Sequence, residues 1–179
     1  IDKLGLDKDN VAVISGIGCS SRASGYLDFN TVHSAHGRAL PVATGVKLAD
    51  PSLKVLVVTG DGDATAIGGN HLIHAARRNI DMTVVLFNNN IYGMTGGQYS
   101  PLTPQGSKAT TAPYETIEPA FDITELAKAA GATFVARATT FHAQILADLI
   151  AKGMEHKGFS LIEAVSGCPI SFGRQNKIG

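Results

Sequence analysis

The sequence predicts an α/β fold in which a doubly wound, mostly parallel β-sheet carries helices on both faces. Short apolar segments rich in β-branched residues alternate along the chain with longer segments of helical pattern, the order that builds parallel sheets. Two of the apolar segments, 55–59 and 82–87, end in polar turns that contain Asp and Asn. Ligands of open α/β sheets bind where such strands end, so we expect a functional site at that edge.

The first half of the chain contains the apolar segments that are easiest to assign. The predicted strands are 11–14, 55–59 and 82–87, and the predicted helices are 37–49 and 67–78. Each strand is a short apolar run, and the first leads into a glycine-rich turn at 15–21. Pro41 falls in the first turn of the first helix, where the missing N–H of proline does little harm.

The second half begins with a long segment, 88–121, that has no clear periodicity and is rich in Gly and Pro. A loop this long inside a compact domain is usually functional. Asp122 and Glu125 resemble a capping box, so we expect a helix that starts there and ends at Gly131. The last predicted elements are a strand at 133–137, a helix from Thr139 or Thr140 to about His156, and a strand at 159–165.

The bulk composition excludes several classes of function. The chain has 179 residues, and its 15 basic side chains balance 15 acidic ones, which argues for one domain without a nucleic-acid or anionic-membrane surface. No apolar run approaches the ~20 residues that cross a bilayer, and no signal-peptide pattern opens the chain. We therefore expect a soluble, cytoplasmic protein.

The polar residues at the two strand ends are suited to a hard cation. Asp61 follows one strand and Asn89 follows the next. Their carboxylate and amide oxygens, with a main-chain carbonyl nearby, would leave coordination positions for phosphate oxygens and water. Magnesium is usually held in this way. The alternative is a pair of ordinary turns, because Gly, Asp and Asn favour turns on their own account.

A dinucleotide-binding turn is the nearest competing interpretation. Gly16, Gly18 and Ser21 match its spacing, but the third glycine is missing and no acidic residue follows at the distance that would hold a ribose. A GxxxxGK[ST] loop is also absent from the sequence. A nucleotide-binding module without catalysis would therefore rest on this turn alone.

The histidines and cysteines of the chain are potential metal ligands. His33 and His36, and likewise His71 and His74, stand three residues apart, but neither pair has the further ligands that zinc needs. His36 starts a helix at the expected sheet edge, and ligand contact and helix capping both stay open for it. The only two cysteines, Cys19 and Cys168, are either buried thiols or, given their loop positions, ligands or reactive groups.

Four motifs together resemble the β subunit of 2-oxoacid:ferredoxin oxidoreductases, most closely the 2-oxoglutarate branch. They are Gly18-Cys19-Ser20-Ser21, His33-Ser34-Ala35-His36-Gly37-Arg38, Gly60-Asp61-Gly62-Asp63 and the segment Asn88-Asn89-Asn90-Ile91-Tyr92-Gly93-Met94-Thr95-Gly96-Gly97-Gln98. The resemblance covers nearly the whole chain, with the motifs in the family's order. It implies a domain that binds thiamine diphosphate and Mg²⁺.

The resemblance also implies roles for individual residues. Magnesium ligands would be Asp61, Asn89 and the main-chain carbonyl of Ile91. The residues expected at the cofactor are Gly18, Cys19, Ser20, His36, Gly37, Gly62, Asp63, Tyr92, Gly93, Met94 and Thr95. Cys19 and Cys168 would be two of the four thiolates of a [4Fe-4S] cluster. The activating glutamate of the family belongs to the partner α subunit, so no catalytic residue is expected in this chain.

The chain departs from the family in one respect. The Cys-x-x-Cys element that would complete the cluster stands further upstream in the family than this chain extends, so we expect residues 1–179 to be a single thiamine-diphosphate-binding domain lacking N- and C-terminal segments. No intact cluster is then expected in it.

The implied activity is oxidative decarboxylation of a 2-oxoacid to an acyl-coenzyme A, with electrons passed to ferredoxin. Arg22 follows the glycine-cysteine turn, and its guanidinium could hold the distal carboxylate of 2-oxoglutarate. A solvated arginine, or a partner for Asp28, is the alternative for Arg22. The alternative functions are a pyruvate-specific member of the family and a non-redox thiamine-diphosphate lyase or synthase, which would have no use for cluster ligands.

Overall fold

The computed structural model describes residues 1–178, whose strands form one six-stranded sheet. The strands are β1 (Val11–Ser15), β2 (Asn30–His33), β3 (Lys54–Gly60), β4 (Met82–Asn88), β5 (Phe134–Thr139) and β6 (Phe159–Val165). The helices are α1 (Ala39–Ala49), α2 (Gly69–Arg77), α3 (Ile123–Ala130), α4 (Ala143–Glu155) and the single turn α5 (Arg174–Asn176). The strand order is β2-β1-β3-β4-β6-β5, and every neighbouring pair is parallel.

The central strands β1, β3, β4 and β6 are mostly apolar because the sheet is covered on both faces. In β1, Ala12 and Ile14 pack with the cluster beneath α1, α2 and α3, whereas Val11 and Val13 pack with the cluster beneath α4. All five residues of β1 are buried. Burying each Val or Ile side chain in this way contributes about 1.5–3 kcal/mol. The predicted α/β class, with a doubly wound sheet and helices on both faces, is confirmed.

The caps of α3 follow the sequence signals. The Asp122 side chain accepts hydrogen bonds from the backbone N–H groups of Thr124 and Glu125, which would otherwise lack partners in the first turn. Gly131 ends the helix with a φ of 109°, a left-handed conformation that glycine adopts without strain. The predicted boundaries of this helix are therefore confirmed.

Other local predictions were wrong. The edge strand β2 was not predicted, since Asn30–His33 is short and exposed and has no apolar periodicity. The Thr139 or Thr140 cap does not form, because a 3₁₀ turn at Thr140–His142 precedes α4 and no side chain caps that helix. Instead, the Thr139 hydroxyl is hydrogen-bonded to Nδ1 of His142 at 2.8 Å.

The topology determines where a ligand can bind. From β1, the chain continues to β2 on one side and, later, to β3 on the other, so the connections diverge at the carboxyl ends of β1 and β3. A crevice forms at such a switch point. The turns after β1 and β3, together with the loop after β4, surround this crevice. Separately, none of the helices in the described part of the chain combines the length and apolar character of a membrane span.

Candidate functional site

A cavity of about 430 Å³ occupies the crevice at the carboxyl ends of β1, β3 and β4. Every residue that the sequence predicts at the cofactor lines this cavity except Gly37, and so do the predicted magnesium ligands Asp61, Asn89 and Ile91. The motifs are far apart in the sequence and meet because the carboxyl ends of parallel strands share one edge. The predicted location of the site therefore coincides with a cavity of the structure.

Asp61 presents a buried carboxylate to one end of the cavity. Its side chain lies at the end of β3 and the residue is only 4% exposed. Burial raises the pKa of Asp61 to about 6, although a hydrogen bond from the Ser100 hydroxyl acts in the opposite direction. That hydroxyl lies 2.5 Å from Oδ2 of Asp61. A carboxylate held in such surroundings gains stabilisation from a cation beside it.

The loop after β4 brings oxygen atoms that could bind a metal ion to the same cavity. Asn89 and Ile91 both line the cavity, and Oδ1 of Asn89 accepts a hydrogen bond from the Ile91 N–H at 3.3 Å. The carbonyl of Asn90 between them accepts from the Thr103 hydroxyl at 2.5 Å, and the Ser100 N–H donates to that hydroxyl at 2.8 Å. The potential metal ligands of Asn89 and Ile91 are the amide oxygen and the main-chain carbonyl oxygen, which suit Mg²⁺ rather than a softer metal.

The carboxylate of Asp63 faces the protein rather than the cavity centre. Asp63 is 3% exposed and accepts from the N–H of Gly37 at 2.7 Å, the N–H of Ile17 at 3.2 Å and the Thr59 hydroxyl at 2.7 Å. Nδ1 of His36 lies 2.8 Å from the same carboxylate but outside hydrogen-bond geometry. The contact is therefore an ionic one when His36 is protonated. Asp63 joins the turns after β1, β2 and β3, and its contact with a cofactor stays a prediction.

Tyr92 closes one side of the cavity against a glycine. Its hydroxyl donates to the Gly62 carbonyl at 3.1 Å, and a Cβ at Gly62 would lie only 2.1 Å from the ring. Any other residue at position 62 would displace the ring. Burial, reinforced by the charges of Asp61 and Asp63, raises the pKa of Tyr92, so its hydroxyl keeps its proton near neutral pH. His36 packs edge-on against the same ring, with centroids 6.0 Å apart.

The sulfurs of the two cysteines both lie close to Gly93. A Cβ at Gly93 would lie 3.3 Å from Sγ of Cys168 and 3.4 Å from Sγ of Cys19, so the two sulfurs are close to each other. Neither forms a disulfide. Cys19 is exposed, and Cys168 accepts a hydrogen bond from the Ser171 N–H at 3.3 Å. Ligation of a cluster by both thiols is sterically reasonable and stays a prediction.

Arg22 does not line the cavity. Its Nε and Nη2 donate to the Tyr26 hydroxyl at 3.2 and 3.0 Å, and its guanidinium stacks 5.7 Å from the centre of that ring. Asp28 pairs with Lys8 instead. The structure therefore does not bring Arg22 together with the other site residues, and its contact with substrate stays a prediction.

The histidine pairs do not share ligand sites. Nδ1 of His33 lies 3.4 Å from the hydroxyls of Ser15 and Ser24, and His36 faces Asp63. His71 and His74 lie on α2, where Nδ1 of His74 accepts from Arg77 at 3.4 Å. His71 and His74 are therefore polar residues of the α2 surface, and no group of three potential metal ligands forms at either pair among the residues that the structure describes.

Sequence reasoning missed Ser100 and Thr103. Both lie in the long loop that was predicted to be functional, and both are buried against the turns that carry Asp61 and Asn90. Only the general expectation for a long loop with buried hydroxyls pointed to them. Their partners are non-local, so spacing in the sequence could not identify them.

Comparisons with known proteins agree with this geometry. Residues 16–164 match the model of the family described as thiamine pyrophosphate enzyme, C-terminal TPP binding domain. The chain is 59% identical over 178 residues to 2-oxoglutarate synthase subunit KorB of Methanothermobacter thermautotrophicus, covering 99% of this chain and 62% of that protein. It is 49% identical to 2-oxoglutarate oxidoreductase subunit KorB of Mycobacterium tuberculosis, over 95% of this chain and 46% of that protein.

A solved structure is also similar. It is the 2-oxoglutarate:ferredoxin oxidoreductase from Magnetococcus marinus with 2-oxoglutarate, coenzyme A and succinyl-CoA bound, at a TM-score of 0.93 and 45% identity. The match covers 95% of this chain and 58% of that one. The chain spans about three fifths of the length of the first curated relatives it matches.

Proposed function

The chain belongs to the thiamine pyrophosphate enzyme family, through that family's C-terminal TPP-binding domain, and on this premise we propose that it is the cofactor-binding part of the β subunit of a 2-oxoglutarate:ferredoxin oxidoreductase. The similarity to β-type KorB subunits supports the choice of branch. Thiamine pyrophosphate and thiamine diphosphate are the same compound. In this proposal the complex converts a 2-oxoacid to an acyl-coenzyme A and passes electrons to ferredoxin.

One observation carries the proposal: Asp61, Asn89 and Ile91 line the same cavity of about 430 Å³. Among the residues that the structure describes, no group of three Asp, Glu, His or Cys side chains lies close enough together to bind a metal ion. A cation beside Asp61 would therefore take further ligands from the amide of Asn89, the carbonyl of Ile91 and the diphosphate. Mg²⁺ is commonly bound through one or two carboxylates plus substrate phosphates.

The other residues of the cavity would position the cofactor. Asp63 holds the turns that present Ile17, His36 and Gly37 and leaves the Nε2 side of His36 free to face a ligand. The Tyr92 ring and the glycine at 62 shape the wall beside Asp61. Thiamine diphosphate, when bound, supplies a nucleophilic, electron-accepting ring that lets a 2-oxoacid lose carbon dioxide.

We assign Cys19 and Cys168 as two thiolate ligands of a [4Fe-4S] cluster. A cluster of this kind takes four cysteines, so the other two would come from the Cys-x-x-Cys element that the family resemblance places upstream of residues 1–179 in the same subunit. The proximity of both sulfurs to Gly93, at the wall of the cavity, supports a short path between cluster and cofactor. It also favours the redox function over a non-redox lyase.

The proposed partners follow from the relatives. An α subunit would supply the activating glutamate, and ferredoxin would accept the electrons. The Magnetococcus marinus structure contains 2-oxoglutarate, coenzyme A and succinyl-CoA, and we propose the same substrates for this protein. Arg22 is the candidate for the distal carboxylate of 2-oxoglutarate, provided that it exchanges its contact with Tyr26 for one with substrate.

The experiment that tests the cofactor site is Asp61→Asn in the full-length β subunit assembled with its α subunit. Asparagine keeps the shape and the Ser100 contact but removes the charge that would bind the ion. Loss of a charged ligand should cost about 3 kcal/mol or more, which weakens thiamine diphosphate binding in Mg²⁺ at least ~100-fold. Calorimetric titration measures this directly.

Asp148→Asn is the control, because Asp148 lies on the exposed surface of α4 and contacts only Lys3 and Gln144. It should bind as the unmodified protein does. If Asp61→Asn bound thiamine diphosphate with unaltered affinity, the assignment of the metal site would be wrong.

A further inference from the structure

Glu163 is a buried carboxylate that lies on β6, outside the cavity. It is 3% exposed, and its two oxygens accept hydrogen bonds from Nε of Arg137 at 2.5 Å and from Nδ2 of Asn88 at 2.8 Å. A buried ion pair is weak evidence for stability, since a well-packed apolar pair often serves as well. The directed hydrogen bonds that Glu163 and Arg137 make are what an apolar pair could not reproduce.

On one side, Glu163 holds the beginning of the loop after β4. The side chain of Asn88 donates to Glu163 and accepts from the Asn90 N–H at 3.0 Å, while the Asn88 carbonyl accepts from the Ser166 N–H at 2.8 Å. Asn90 has a left-handed φ of 64°, which few residues other than glycine adopt without support. Asn88 therefore fixes the turn that aims Asn89 and Ile91 at the cavity.

On the other side, Arg137 holds the end of the same loop. Its Nη2 donates to Oδ1 of Asp122 at 2.7 Å, and Asp122 caps the helix that follows the loop. One guanidinium on the edge strand β5 thus joins Asp122, where the loop ends, to Glu163, which holds Asn88 where the loop begins. Arg137 makes the two contacts through different nitrogens of one planar group, Nε towards Glu163 and Nη2 towards Asp122, an arrangement that the single nitrogen of a lysine ammonium does not reproduce.

We propose that Arg137 and Glu163 form a clamp that closes the loop between residues 88 and 122 and thereby positions Asn89 and Ile91 for Mg²⁺. Both are positioning residues, because they act through Asn88 and Asp122 and line no part of the cavity. The inference rests on the proposed cofactor function and adds to it the residues that set the affinity for the ion. Groups that orient metal ligands from behind typically change metal affinity 10- to 100-fold when they are replaced.

The test uses the full-length subunit in its complex and measures the Mg²⁺ concentration that gives half-maximal binding of thiamine diphosphate. The double variant Arg137→Met/Glu163→Met removes both charges, so it leaves no unpaired buried ion. Half-saturation should require about 10- to 100-fold more Mg²⁺, while the melting temperature of the metal-free complex changes by less than ~5 °C. Saturating Mg²⁺ should restore full binding.

A matched control exists at the amino-terminal ends of β3 and β4. Nζ of the buried Lys47 lies 2.9 Å from the Asp81 carboxylate, just before β4, and donates to the carbonyls of Pro51 and Leu53, residues that do not line the cavity. Lys47→Met/Asp81→Leu removes a comparable ion pair and should leave the Mg²⁺ requirement within about twofold of the original. Equal Mg²⁺ requirements in the two double variants, or an unchanged one in the Arg137 and Glu163 variant, would overturn the clamp.

Arg137→Lys covers the case in which the double variant does not fold. It keeps a cation beside Glu163 but lacks the second nitrogen that Arg137 directs at Asp122, so the Mg²⁺ requirement should rise with the melting temperature nearly unchanged. An unchanged requirement here also contradicts the proposal. If the unmodified complex binds thiamine diphosphate without any dependence on Mg²⁺, it is the proposed function that fails, and this outcome is distinct from the others.

Discussion

Replacing Ser100 with alanine should weaken Mg²⁺ binding although Ser100 is expected to touch neither ion nor cofactor. The Ser100 hydroxyl is buried and donates to Oδ2 of Asp61 at 2.5 Å. A hydrogen bond to a charged group contributes about 1.5–3 kcal/mol, which corresponds to roughly 10- to 150-fold in an equilibrium constant. The Ser100 N–H would still donate to Thr103, so the backbone of the loop keeps its anchor.

The pKa of Asp61 should change with the same substitution. The Ser100 hydrogen bond lowers this pKa against the larger effect of burial, so its removal should raise the pKa further above about 6. A proton then competes better with Mg²⁺ for the carboxylate, and the loss of affinity should be larger at pH 6 than at pH 8. This pH dependence separates loss of the hydrogen bond from a general loosening of the loop.

The assay is titration of the full-length complex with Mg²⁺ at fixed thiamine diphosphate, read by calorimetry. Ser160→Ala is the control, since the Ser160 hydroxyl is equally buried and donates to the Gly153 carbonyl at 3.0 Å, on β6 away from the cavity. It should lose about 1 kcal/mol of stability without a change in Mg²⁺ affinity. If Ser100→Ala titrated like Ser160→Ala, the idea that Ser100 orients Asp61 would be refuted.

Three further predictions concern the cluster, the substrate and pH. Cys168→Ser in the full-length subunit should lose most of the iron, about four per chain for a [4Fe-4S] cluster, on anaerobic reconstitution; an unaltered visible spectrum would contradict the ligand role. Arg22→Ile should lower kcat/KM for 2-oxoglutarate by roughly 10- to 150-fold and leave pyruvate nearly unaffected, whereas equal losses on both would assign Arg22 to the fold. Because burial raises the pKa of Asp61 from 3.8 to about 6 in the metal-free protein, Mg²⁺ affinity should be level above about pH 7 and fall about tenfold per unit below pH 6. The metal-free fold should gain stability as pH falls through the same range, since its Asp61 binds a proton more tightly than the unfolded chain does. Between pH 8 and pH 5, the Mg²⁺ affinity measured by titration should therefore fall while the melting temperature of the metal-free protein rises.

The sheet was predictable because its strands satisfy a simple physical requirement. Segments such as 55–59, 82–87 and 159–165 are buried on both faces, so they are short and mostly apolar. β2 lacks such an apolar pattern because it is an edge strand that pairs only with β1 and its four residues are exposed. The buried centre of the sheet and the edge strand β5 were therefore predicted, whereas the exposed edge strand β2 was missed.

The location of the site was predictable for a related reason. Once 55–59 and 82–87 are parallel neighbours, Asp61 and Asn89 must share an edge. The contacts that hold them there were not predictable. Ser100 lies 39 positions from Asp61, and Glu163 lies 75 positions from Asn88. Such pairs depend on how a long loop folds over the sheet, which no local pattern encodes.

Asp63 is the clearest case in which side-chain direction decides a role. The family resemblance places Asp63 at the cofactor, and Asp63 lines the cavity, but its carboxylate is occupied by contacts within the protein at the start of a π-helical turn. The carboxylate accepts hydrogen bonds from the backbone N–H groups of Ile17 and Gly37. Backbone N–H groups of this kind bind the phosphates of nucleotides in other proteins.

This inward carboxylate also explains the glycine turn that suggested a dinucleotide site. A Cβ at Gly16 would lie 2.0 Å from Oδ2 of Asp63, so position 16 must be glycine to make room for an acidic side chain of the protein itself. In a dinucleotide turn, the glycines instead let a pyrophosphate approach the backbone. Here Asp63 takes that place and supplies the negative charge. The Gly16 turn is therefore closed to a phosphate, and an anionic ligand must lie further out, between Asp61, His36 and the loop after β4, where the cavity is.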